Sequence, residues 1–183
     1  MTTIDRHPHS QAFHDQVDRL QVLYQASDSN KRYFDEHNIH DLLGIWDEIS
    51  VMCRERELTS TKMFETLRQL ALVALATIQG QPNNTIGIIE LLDMMKTTHD
   101  KKNKDYGTQN EPFANVIASQ ELGVDPILAV CIRMNDKVTR LKSFLDKGNL
   151  ENESVEDSLL DIAVYSIINV VIIDESWNGK SSA

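Results

Sequence analysis

LLDIAVYSIINVV, residues 159–171, carries apolar side chains around the whole circumference of a helix and a single carboxylate, Asp161. A helix that is apolar all round is a buried one, so this segment predicts the centre of a helical core. A carboxylate taken out of water without a partner costs several kcal/mol, and Asp161 must therefore be held by an arginine, a metal ion or solvent in a pocket. Asp157, Asp161, Tyr165 and Asn169 step every four residues and draw one narrow polar stripe along this otherwise greasy helix.

The preceding helix supplies a face to set against that stripe. In VDPILAV, Asp125 stands as an N-cap and Pro126 as the first helical residue, and Gly148 marks the end. Ile127, Val130, Met134, Val138, Leu141 and Leu145 form its core stripe, while Arg133, Asp136, Lys137 and Arg140 share another, mostly basic face. Two such polar faces brought together make a charged seam inside a bundle, which is where carboxylate metal sites are commonly built. Ser154 and Asp157 in ESVED form a variant capping box at the head of the last helix.

Helical periodicity continues toward the N-terminus. Phe13, Val17, Leu20 and Tyr24 recur at helical spacing, as do Ile39, Leu42, Leu43, Trp46, Ile49 and Cys53, with a break near SDSN. A further helix runs from about Thr61 to Gln79 and stops at Gly80, where QPNN makes the clearest internal boundary. Residues 1–80 are thus expected as an N-terminal helical extension, 85–175 as the main domain and 176–183 as a flexible tail. In the main domain Thr85 caps a helix to about Asn103, KDYGTQNEP is a loop, and a short helix spans FANVIASQEL. No convincing period-two strand occurs. The expected fold is an all-α helical bundle.

Composition narrows the setting. With 183 residues, 41% hydrophobic and 25% charged, the chain can bury one ordinary core. A formal charge of -10 and a pI near 5.0 argue against nonspecific binding to duplex nucleic acid, which needs a basic surface. Cys53 and Cys131 lack metal-ligand spacing and fit a reducing compartment, the N-terminus has no signal-type apolar run, and the longest greasy stretch is interrupted by Asp161 and Asn169. A cytoplasmic protein away from membranes is expected, in the host cytoplasm if phage-encoded.

HDKKNKDYG, residues 99–107, is the remaining constellation. Lys101, Lys102 and Lys104 offer point charges for phosphate beside a turn containing Asn103, Asp105 and Gly107, and Tyr106 offers a flat face for a base. Simpler readings compete with each element. Asp157 can be only a cap, Asp136 can pair with Arg133 and Arg140 along its own helix, and the lysines can complement a helix dipole in solvent. The HPH at residues 7–9 reads as a terminal tail rather than a metal site. Asp161 can be the structural partner of Arg133 or Arg140.

KKNKDYG, PFAN, RMNDKVTRL and VEDSLLDIAVYSI, in that order, resemble motifs of phage and bacterial MazG-like proteins, nearest in type to the first class of nucleotide-modification-associated domain, over about residues 85–175. That family stands near the all-α nucleoside triphosphate pyrophosphatases. The resemblance implies a helical, homo-oligomeric protein that binds a nucleotide through Mg²⁺ and releases nucleoside monophosphate and pyrophosphate. Carried over by position, Asp136, Asp157 and Asp161 are the catalytic acids, and with Glu156 they are the metal ligands. Lys101, Lys102, Asn103, Lys104, Asp105, Tyr106, Arg133, Lys137, Arg140 and Tyr165 are the substrate-binding residues. The chain has Asp136 alone where the family's active members carry an E-E-x-x-E cluster, and Ser158 where their second motif begins with glutamate; Glu90 and Asp93 are an alternative acidic pair. A nucleotide sensor or sponge without turnover, and a helical adaptor acting on a protein partner, are the alternative functions.

Overall fold

The computed structural model describes residues 7–26, 37–106, 113–150 and 153–180, with the side chains of 104–106 and 177–180 left aside. Seven α-helices lie in these residues: α1 (Pro8–Gln25), α2 (Ile39–Glu55), α3 (Thr61–Gln79), α4 (Ile88–Tyr106), α5 (Ala114–Ile117), α6 (Pro126–Lys147) and α7 (Val155–Lys180). No strand occurs among the described residues. The fold is all-α.

The helix ends follow local chemistry. Asp125 accepts a hydrogen bond from the Ile127 amide at 2.8 Å to start α6, and Gly148 ends it in the left-handed conformation at φ 79°. Ser154 Oγ accepts from the Asp157 amide at 2.9 Å, so the capping box at the head of α7 is formed. Asn38 and Asp41 make a second box, with Asn38 Oδ1 accepting from the His40 amide at 2.8 Å and Asp41 Oδ2 from the Asn38 amide at 2.9 Å. Asn38→Ala is expected to lower stability by about 1 kcal/mol, read as a shift in urea midpoint at unchanged slope.

Three sequence expectations change. HPH is not a tail: the His7 side chain accepts from the His9 amide, Pro8 is the first residue of α1, and His9 stacks on Phe113 at 5.2 Å. KDY is helical, because no breaker precedes Gly107 and α4 runs on to Tyr106. The backbone of α7 likewise continues to Lys180, past the expected boundary at 175. The SDSN break lies outside the described residues.

Packing ignores the QPNN boundary. In α3 every residue from Leu70 to Ile78 is buried, and this helix packs most extensively on α7, which is flanked in turn by α6, α1 and α4. Phe13, Leu42, Leu72, Leu91, Met134 and Ile167 belong to one continuous apolar cluster. The helices assigned to an N-terminal extension therefore complete the same core. Leu145, expected in the core stripe of α6, is 39% exposed instead, one turn from the end of its helix.

Candidate functional site

The polar stripe of α7 meets α4 and α6 at a cavity of about 350 Å³. Asp161 lies on its wall, 8% exposed, and its carboxylate is held by two lysines rather than an arginine. Lys137 Nζ lies 2.9 Å from Asp161 Oδ2, and Lys102 Nζ donates to Asp161 Oδ1. Lys137 also reaches Glu153 at 2.8 Å, and Arg140 pairs with the other oxygen of Glu153. Helix geometry explains this choice of partners. Arg133 and Lys137 are one turn apart and both line the cavity, while Arg140, a turn farther along, is exposed and closes over Glu153.

Above this charged floor, Tyr165 presents its ring 5.9 Å from the Lys102 ammonium, near enough for a cation–π contact. Asn103 and Asn115 contribute amides, and Phe113, Val116, Val164 and Ile168 supply an apolar wall. His99 closes one side, 2% exposed and stacked on Phe13 at 3.9 Å. Asn103 Nδ2 donates to His99 Nε2 at 2.8 Å and to Ser10 Oγ at 3.2 Å. Burial holds the imidazole well below its usual range, to about 4, against the opposing charge of Asp100, and His14 lowers it further. Three basic side chains, Lys102, Arg133 and Lys137, thus face two carboxylates in an otherwise acidic chain.

No protein-family model, curated protein or solved structure matches this chain.

Of the residues singled out from sequence, Lys102, Asn103, Arg133, Lys137, Asp161 and Tyr165 line one cavity. Lys101 is exposed, and the side chains of Lys104, Asp105 and Tyr106 lie outside the described residues. Asp136 is exposed and not part of the lining, because consecutive helix positions differ by about 100° and Lys137 has the inward one. Glu156 and Asp157 are also exposed, Asp157 acting in the capping box, and Glu90 and Asp93 face solvent on α4. Among the described residues no three His, Cys, Asp or Glu side chains converge as a ready-made metal cage. Glu153 and His99 were not anticipated. The signal for Glu153 is its place just ahead of the capping box, and for His99 its position one turn before Lys102.

No single helix among the described residues is long and apolar enough to cross a membrane.

Proposed function

We propose that this cavity binds the phosphates of a nucleotide, and that Mg²⁺-dependent hydrolysis of a phosphoanhydride to nucleoside monophosphate and pyrophosphate is the reaction it serves. The gathering of Lys102, Arg133 and Lys137 on one cavity, two of them on Asp161, carries the reading. Their ammonium and guanidinium groups suit phosphate oxygens, and Tyr165 with the apolar wall suits a base or sugar. Mg²⁺ commonly takes one or two protein carboxylates and fills its remaining positions with phosphate oxygens and water, so Asp161 and Glu153 are a sufficient donor pair to hold it. When bound, the ion neutralises phosphate charge and lowers the pKa of a coordinated water. For this the lysines must shift from carboxylate to phosphate. His99, neutral above about pH 4, accepts from Asn103 and holds that amide at the cavity wall.

A second reading, binding without turnover, is favoured by the small number of carboxylates at the site. A panel of nucleoside mono-, di- and triphosphates, incubated with and without Mg²⁺, separates the two. Pyrophosphate release identifies the enzyme, a raised Tm without release identifies a sensor or sponge, and neither effect removes the nucleotide reading.

Arg133→Gln probes the phosphate contact cleanly. Arg133 lines the cavity but forms no ion pair among the described residues, so its loss strands no carboxylate among them. Nucleotide affinity is expected to fall about tenfold with a shallower salt dependence, while the ligand-free Tm stays close to wild type. Titration at two ionic strengths checks this, and an unchanged affinity would take Arg133 out of the site.

A further inference from the structure

The fold brings Cys53 on α2 and Cys131 on α6 together on the far side of α6 from the charged cavity. The two helices pack together, and both cysteines line an open cleft of about 200 Å³ with Trp46, Leu128 and Asn135. Cys53 is half-buried, Cys131 is buried, and Asn169 Nδ2 donates to Cys131 Sγ at 3.4 Å. Neither cysteine is used by the nucleotide reading.

We propose that Cys53 and Cys131 form a peroxide-oxidisable dithiol that closes into an intramolecular disulfide joining α2 to α6. The reaction divides the labour between the two sulfurs. The Cys53 thiolate attacks hydrogen peroxide, the O–O bond breaks, and Cys53 sulfenic acid and hydroxide are formed; hydroxide takes the proton released from the Cys53 thiol to become water. The Cys131 sulfur then attacks the sulfenic sulfur, the S–S bond forms, the S–O bond breaks, and the hydroxyl leaves as water with the Cys131 proton. Two thiols lose two hydrogens and two electrons, and one peroxide becomes two waters.

The environment suits this order. The neighbouring Cys131 thiol lowers the Cys53 pKa, with help from Arg54 and against burial, which favours the nucleophilic thiolate there. The Cys53 sulfur beside it and burial raise the Cys131 pKa, so Cys131 keeps its proton until it resolves the sulfenic acid. Cys53 is also the sulfur with more access to solvent. Their places on one cleft between packed helices put the two sulfurs on a common surface, from which a bond of about 2.05 Å can close. Disulfides of this type in reducing compartments are generally transient and redox-sensing.

The full-length reduced chain, titrated with hydrogen peroxide and then alkylated, gives the test. Non-reducing peptide mapping is expected to recover the Cys53 peptide linked to the Cys131 peptide, in a monomer lighter by two hydrogens, with a raised Tm that dithiothreitol reverses. Cys131→Ala is expected to accumulate sulfenic acid at Cys53, trapped by dimedone. Recovery of Cys53–Cys53 dimers, or of Cys53 sulfinic acid beside an alkylated Cys131, would overturn the proposal. The wild-type peptide map decides the matter even if the variant fails to fold.

Discussion

Asp161→Asn is expected to lower the stability of the ligand-free chain by about 2–3 kcal/mol, a fall of roughly 5–10 °C in Tm for a domain of this size. The amide keeps the shape of the side chain and removes the charge on which Lys102 and Lys137 converge. Loss of one partner from a buried pair typically costs about 3–5 kcal/mol, because the surviving charge is left in a poorly solvated place. Two features moderate the cost. Lys137 retains Glu153 at 2.8 Å, and the Lys102 side chain is 39% exposed and can turn to water. The stranded lysines also give the defect a signature: pyrophosphate should raise the Tm of the variant more than that of wild type. Mg²⁺-dependent nucleotide binding should meanwhile weaken about tenfold or more. Melts of both proteins in EDTA, in Mg²⁺ and in pyrophosphate measure all three effects. A variant as stable as wild type in EDTA would mean that the lysines do not depend on Asp161.

Acidification should remove a similar amount through His99. Its folded pKa of about 4 lies below the ordinary value of 6.5, so between these values the unfolded chain binds a proton that the folded chain refuses. Stability therefore rises with pH across this window. It is complete above about pH 6.5 and falls by roughly 3 kcal/mol on the way down to pH 4. The contacts agree with this sign. Asn103 Nδ2 can only donate, so His99 Nε2 accepts from it, and protonation would set two donors against each other beside the Phe13 ring. Carboxylates also titrate in this range, and the comparison with His99→Gln isolates the histidine, since glutamine can still accept from Asn103. Urea midpoints at pH 4.5 and 7 should differ less in the variant than in wild type. Equal differences would assign the acid sensitivity to other groups.

Much of the fold is legible along the chain because its signals are local. Asp125 with Pro126, Gly148, and Ser154 with Asp157 each announce a helix end through chemistry that acts over a few residues. The apolar run at 159–171 similarly requires a central helix, and it is one. What cannot be read in this way is which face meets which. Periodicity puts Arg133, Asp136, Lys137 and Arg140 on one broad face, but the neighbours of α6 decide that Arg133 and Lys137 look inward and Asp136 outward. Lys102 and Asp161 are on helices remote in sequence, so their pairing is tertiary information. The same holds for α3, which a strong turn signal at QPNN separates in sequence from the helix it packs against most.

The run from Leu70 to Ile78 in α3 offers no side to water. Its amide hydrogens can exchange with deuterium only when the molecule as a whole comes apart, so their exchange rates report the global opening free energy rather than local fraying. A ligand that occupies the cavity only in the folded state would slow these distant amides by the factor 1 + [L]/Kd. The centre of the core thus becomes a gauge of occupancy, readable without labelling a single residue that touches the ligand.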